Sequence, residues 1–183
     1  MTRDLCWLRK VASHSFQHFS LPAYDLVARS IRREAGTLLN LTTEVASEGD
    51  LAFSLVTEEC LGREGYRVKG EQNHVAIQSN TTKGLLYGLF ALYEKLILGE
   101  AFTSFTSVPD QALRMINHWD NMDGTIERGY AGDSIFFKDN EFRKDYQLIE
   151  SYARLLASVG INAISINNVN VRGAAKALIG EEH

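Results

Sequence analysis

The residues best suited to chemistry crowd into one stretch, "NHWDNMDGTIERGYAGDSIFF", Asn117 to Phe137. It holds Trp119, Asp120, Asp123, Glu127, Arg128 and Asp133, with Gly124, Gly129 and Gly132 among them. Glycines at that density argue against one regular element and for a loop. Asp120, Asp123 and Glu127 are carboxylates of the kind that work in pairs as general acid and base. The plainer and commoner arrangement is that they hydrogen-bond the loop's own backbone, as Asp does in turns, or pair with Arg128. Oxygen ligands at positions 120, 123 and 133 could hold a divalent cation, but their spacing is not that of a calcium loop. Trp119 either closes a core or offers an indole face against which the CH face of a sugar can stack. Arg128 could grip a carboxylate or phosphate with its guanidinium fork; a salt bridge within the loop is the plainer reading.

Other candidates are weaker. His14 and His18 stand four apart, a spacing that can hold a metal, but the glutamate of a zinc-protease helix is missing. Glu58, Glu59 and Cys60 read as a surface run at a strand's end. No phosphate-binding loop and no dinucleotide fingerprint is present, so nucleotide binding has no support.

Composition narrows the classes further. The chain has 183 residues, 19 basic and 23 acidic, for a net charge of −4, and is 45% apolar. That suits a globular core and gives no basic patch for nucleic acid. No apolar run approaches a bilayer span, and the N-terminus lacks the apolar core of a signal peptide. Cys6 and Cys60 are too few for a disulfide framework. These features predict a reduced, cytoplasmic setting.

Elements able to position the loop can be read from periodicity. "DLCWLRK", Asp4 to Lys10, reads as an opening strand. Residues 22–35 read as a helix with Val27, Ile31 and Ala35 on one face and Gly36 as its stop. "LAFSLVT" alternates, with Leu51, Phe53 and Leu55 on one face. Tyr66 and Val68 should pair with Val75 and Ile77 across a turn at 70–73. Leu86, Leu89, Phe90, Tyr93, Leu96 and Ile97 then recur at helical spacing, with Thr81 or Thr82 as cap and Gly99 as end. Gly84 and Gly88 would let that helix sit close to a sheet. A small polar stretch, 99–110, marks a boundary. Beyond it, "ALRMINHW" reads as a strand and 140–160 as a helix with Phe142, Tyr146, Ile149, Ala153 and Leu156 as its stripe. Gly160 breaks it, and "INAISINNVN" reads as a buried strand. Strand, loop, helix, strand is a βαβ unit with parallel strands. Such sheets build ligand sites at the C-terminal ends of their strands. Two parallel strands cannot cover their own faces, so the second half reads as the opening of a larger domain.

The stretch from His118 to Phe136, "HWDNMDGTIERGYAGDSIF", resembles the signature of the α-glucuronidases of glycoside hydrolase family 67. "SYARLLASVGINAISINNVN" resembles the next unit of the same family. "EGYRVKG" and "VAIQSNTTKGLLYGLFAL" are similar to a domain that several sugar hydrolases carry ahead of a catalytic barrel. The resemblance covers most of residues 60–170. It implies an α+β accessory domain over 1–105, then, over 106–183, the first βαβ portion of a (β/α)8 TIM barrel, truncated. For the complete family protein it implies inverting removal of glucuronic acid, often 4-O-methylated, from xylan oligosaccharides, with no metal or organic cofactor. Trp119 is expected to wall the uronate pocket and Val169 to line its apolar side. Asp120, Asn121 and Arg128 are expected to fix the loop around them, within the substrate-binding region. The family's catalytic carboxylates lie on later barrel strands, so no catalytic residue is assigned here and the fragment is expected to be inactive. Its expected partners are aldouronic oligosaccharides, and its own copies through exposed barrel strands. The alternatives are a non-catalytic carbohydrate- or partner-binding module built on Trp119, or a small hydrolase using Asp120 and Glu127.

Overall fold

The computed structural model describes Leu8 and residues 16–46, 49–71, 74–100 and 103–167. These fall into two compact units that divide between Ala112 and Leu113. In the first lie β1 (His18–Ser20), α1 (Leu26–Leu39), β2 (Thr43–Glu44), β3 (Leu51–Leu55), β4 (Tyr66–Glu71), β5 (His74–Ser79), α2 (Thr82–Leu98) and β6 (Phe105–Ser107). The second holds β7 (Met115–His118), β8 (Phe137–Lys138), β9 (Glu141–Phe142), α3 (Tyr146–Ser158) and β10 (Ala163–Ile166). No helix among the described residues is long and apolar enough to cross a membrane. The proposed opening strand at 4–10 lies outside the described residues except for Leu8, which sits in a bend.

The first unit is a six-stranded mixed sheet in the order β2-β1-β3-β5-β4-β6. β1, β2, β3 and β5 pair in parallel; β4 runs antiparallel to β5 and β6. The expected hairpin forms with Val68 opposite Ile77, while Tyr66 faces Ser79 and Val75 faces Gly70. Alternate residues Leu51, Phe53, Val75 and Ile77 turn inward, as the period of two requires. Ile31, Ala35 and Leu38 of α1 and Leu85, Leu89 and Leu92 of α2 are fully buried as well, with α2 packed on β3, β4 and β5 and α1 packed on α2.

Helix α1 differs from its expected bounds. It begins at Leu26, where Asp25 accepts a hydrogen bond from the Ala28 amide at 2.7 Å. It also runs through Gly36 to a left-handed Asn40, φ 59°. A helix-interior glycine costs about 1 kcal/mol. Burying Leu38 and Leu39, both 0% exposed, returns about 1.5–3 kcal/mol each, so the helix continues.

Helix α2 has the expected ends, Thr81 capping the Gly84 amide and Gly99 left-handed at φ 65°. Its apolar stripe was only partly foreseen. Leu89, Phe90 and Tyr93 are buried, but Ile97 is half exposed, and Leu85 and Leu92 are buried instead. The helix packs on α1 as well as on β3, β4 and β5, which widens its buried arc. A Cβ on Gly88 would stand 2.5 Å from Ile77 Cγ2; the glycine permits this close approach to the sheet.

In the second unit, β7 and β10 pair in parallel, Met115 beside Ala163 through His118 beside Ile166, with α3 between them in the chain. This is the βαβ element read from the sequence. Among the described residues it is a two-stranded sheet and no barrel closes. Helix α3 starts later than expected, at Tyr146 after an Asp145 cap. Phe142, assigned to its stripe, lies in the β8–β9 hairpin and is exposed. Asp139 and Asn140, with φ of 54° and 65°, make the turn. Both central residues left-handed is the geometry that suits two-residue hairpins. No residue of α3 is buried, and Tyr146 is well exposed.

Asp25 links the two helices of the first unit, since its carboxylate also accepts from the Thr82 hydroxyl at 2.5 Å. That bond first, and the Ala28 amide second, hold its pKa below the ordinary aspartate value of 3.8. A depressed folded-state pKa contributes stability above the unfolded value, lost as pH falls through the folded one. Asp25→Ala is expected to cost about 1 kcal/mol at pH 7. Denaturant titrations of both chains should show that gap closing as the pH falls below 3.8. An equal gap at both ends of the range would contradict it.

Candidate functional site

The site residues sit where β7 ends. An extended chain turns successive side chains to opposite sides. His118 and Asp120 therefore share one side and Trp119 takes the other. Asp120 is 1% exposed and Asn121 2%, while the Trp119 indole is 47% exposed. Asp120 and Ile126 form an isolated antiparallel bridge, as do Thr125 and Asp133, so the loop folds back on itself.

Its polar side chains hold it there. Asn121 Nδ2 donates to Thr125 Oγ1 at 2.9 Å and to the Glu127 carbonyl at 2.7 Å. The Glu127 amide donates to the Trp119 carbonyl at 2.7 Å. Glu127 thus keeps a left-handed φ of 53°, unusual for a residue with a Cβ. Its carboxylate accepts from the Tyr130 hydroxyl and pushes that phenol's pKa up. Asp123 Oδ1 accepts from the Thr125 amide and hydroxyl, at 2.9 and 2.7 Å. Ser134 Oγ donates to Asp120 Oδ2 and accepts from the amides of Phe136 and Phe137. Asp120 and Asp123 therefore serve the loop, as the plainer sequence reading had it. Arg128 is exposed, and its expected salt bridge within the loop is not formed among the described residues.

Four groups here were not singled out in the sequence: His118, Ser134, Phe136 and Tyr152. His118 Nδ1 lies 3.5 Å from Asp120 Oδ1, and its Nε2 lies 2.8 Å from the Tyr152 hydroxyl of α3. The imidazole stands edge-on to the rings of Phe136 and Tyr152, with centroids 5.0 and 5.3 Å away. Burial first, and the Asp120 charge second, push the Tyr152 pKa up. The His-x-Asp spacing at a strand's end was the available signal for His118. Nothing local marks Tyr152, which is 34 residues away.

The remaining candidates lie elsewhere. Val169 and His14 are outside the described residues. His18 Nδ1 stands 3.5 Å from Asp50. Glu58 pairs with Arg67 at 2.7 Å. Among the described residues, no three His, Cys, Asp or Glu side chains gather as they would around a metal ion.

Ser134 supplies one donor to a buried carboxylate and one acceptor to two amides. Ser134→Ala is expected to cost about 1–3 kcal/mol in the second unit, the penalty for buried polar groups left unpaired. Hydrogen exchange should quicken at Phe136 and Phe137 while β3 and β5 keep their protection. Unchanged exchange at those two amides would show that the hydroxyl does not hold the loop.

Comparison with known proteins places these features. Residues 99–182 match the glycosyl hydrolase family 67 middle domain, and residues 17–97 match domain 2 of glycosyl hydrolase family 20. The chain is 46% identical over 112 residues to α-glucuronidase A of Aspergillus tubingensis, a match spanning 60% of this chain and 13% of that protein. It is 42% identical over 135 residues to α-glucuronidase A of Emericella nidulans, spanning 70% of this chain and 16% of that protein. The chain thus spans about a seventh of the length of these relatives. Among solved structures, a family GH115 4-O-methyl-α-glucuronidase with specificity for decorated arabinogalactans superposes with a TM-score of 0.52 at 14% identity, covering 81% of this chain and 24% of that one. An inactive mutant of the GH20 exo-β-N-acetylglucosaminidase from Vibrio harveyi superposes with a TM-score of 0.54 at 13% identity, covering 85% and 23%. At such identities the structural likeness shows the fold alone, a mixed α/β arrangement. The sequence matches go further: residues 99–182 are similar to the family 67 middle domain, and the chain is similar to part of the Aspergillus α-glucuronidases.

Proposed function

We propose that the chain is part of an inverting α-glucuronidase that removes glucuronic acid, often 4-O-methylated, from xylan oligosaccharides. In this reading residues 1–105 are an accessory domain and residues 106–183 open a (β/α)8 barrel. The observation that carries it is the half-exposed Trp119 indole at the C-terminal end of β7, on a loop that its own side chains brace. A braced apolar plate suits the CH face of a sugar ring, and in a (β/α)8 barrel this end of the strand faces the substrate. Arg128, exposed on the same loop, offers the guanidinium chemistry that a uronate carboxylate calls for. Val169 would line the pocket's apolar side.

An inverting hydrolase sets its acid and base about 6.5–9.5 Å apart across the sugar. Asp120 is buried beneath its hydrogen bonds, and Asp123 is occupied by Thr125. The acid and base therefore belong to the portion of the relatives that this chain does not span, and the chain alone binds without turnover. Met115, Ile116 and Ile164, each more than a third exposed, favour self-association of the isolated chain.

Titrating the chain with aldouronic oligosaccharides should shift tryptophan emission to saturation. The response should vanish in Trp119→Ala and survive in Trp7→Phe. No glucuronic acid should be released, since losing a general acid or base alone costs ~10²–10⁴-fold. An equal response to undecorated xylo-oligosaccharides would favour a binding module. Turnover abolished by Asp120→Asn or Glu127→Gln would favour the small hydrolase.

A further inference from the structure

Trp119 lies between two residues that are both tethered, and the tether leads to helix α3. His118 meets Asp120 through Nδ1 and Tyr152 through Nε2, at 3.5 and 2.8 Å. The neutral ring carries one proton, and the neighbours decide where it sits. A proton on Nε2 would turn the Nδ1 lone pair toward a carboxylate that is 1% exposed. Two acceptors would then face each other with little water to screen them. A proton on Nδ1 instead faces the Asp120 carboxylate with its positive end and leaves Nε2 to accept from the Tyr152 hydroxyl.

This gives one polarity: the Tyr152 hydroxyl donates to His118 Nε2 at 2.8 Å, and the Nδ1 proton faces Asp120 Oδ1 at 3.5 Å, an electrostatic contact longer than a hydrogen bond. Ser134 donates to the other carboxylate oxygen from the far end of the loop. A strand, a loop and a helix are thereby tied to one carboxylate. The order tyrosine, histidine, aspartate is that of a proton relay, but a reactive phenol needs a lowered pKa. Burial and the Asp120 charge push that of Tyr152 up, so it stays a donor. The side chains on either side of Trp119 are thus held, and its carbonyl accepts from the Glu127 amide at 2.7 Å.

We propose that Tyr152 is a positioning residue for the Trp119 wall, acting through a His118 that carries its proton on Nδ1. The value of a fixed wall to the sugar rests on the function proposed above; the tether itself does not. Trp7 and Trp119 are the only tryptophans, so Trp7→Phe leaves Trp119 as the sole reporter. In that background, two-bond ¹⁵N–¹H spectra should show the His118 ring with a proton on Nδ1 and Nε2 as the acceptor. Tyr152→Phe keeps the ring and removes only the hydroxyl. It should move the His118 Nε2 resonance and let a larger share of the indole anisotropy decay within nanoseconds. Affinity for aldouronic oligosaccharide should fall about two- to tenfold, the worth of one neutral hydrogen bond. Tyr146→Phe, an exposed tyrosine on the same helix, should change none of these. A proton on Nε2, or indole dynamics untouched by Tyr152→Phe, would overturn the proposal. The expected tautomer and dynamics without any oligosaccharide response in either chain would uphold the tether and sink the sugar-wall reading instead.

Discussion

Burying the Asp120 carboxylate at 1% exposure would cost several kcal/mol if its oxygens met no donors. Much of the second unit's order follows from supplying them. Ser134 lies fourteen residues on, so the chain must return for its hydroxyl to reach Oδ2. The left-handed glycines Gly124, Gly129 and Gly132 allow those reversals. The same serine oxygen collects the amides of Phe136 and Phe137, which leads the chain into β8. Oδ1 faces His118, and His118 reaches Tyr152 on α3. Because an extended chain alternates its side chains, burying 118 and 120 on one side leaves Trp119 on the other. The exposed indole is thus a consequence of the buried carboxylate.

The first unit is held by different forces. Its core is apolar, with Leu51, Phe53, Val75 and Ile77 of a mixed sheet buried together with residues of α1 and α2. The polar bonds there sit at helix ends, where backbone amides lack partners. Asp25 and Thr82 join two such ends in one contact. Side chains were traded for closeness at Gly88, where the α2 backbone approaches Ile77.

For function, the consequence is a division of labour within one loop. Asp120, Asp123 and Asn121, which look reactive in a list of residue types, are occupied by hydrogen bonds to the loop itself. Trp119 and Arg128 stay exposed.

Much of this was legible in the sequence because it depends on neighbours in the chain. The Thr81 cap, the Gly99 stop, the hairpin around 70–73 and the βαβ order all follow from short-range pattern. Two of the misses share a cause, packing that local sequence does not report, and the third is a weak turn signal. Helix α1 runs past Gly36 because Leu38 and Leu39 find a core beyond it, and no local propensity reports that core. The buried arc of α2 is wider than its periodicity because a second helix lies against it. The β8–β9 hairpin was hidden because Asp-Asn is a weaker turn signal than Asn-Gly.

The sequence by itself determined that a tryptophan stands among carboxylates, an arginine and glycines at the end of a strand, and that this pattern resembles an α-glucuronidase loop. It also determined that Trp119 takes the opposite side of the extended chain from His118 and Asp120, since alternation is a property of the backbone. Only the tertiary structure decided which carboxylates were buried and what satisfied them. Ser134 and Tyr152 reach Asp120 and His118 from fourteen and 34 residues away. A hydrogen bond depends on distance in space, and only folding sets that distance for residues so far apart in the chain.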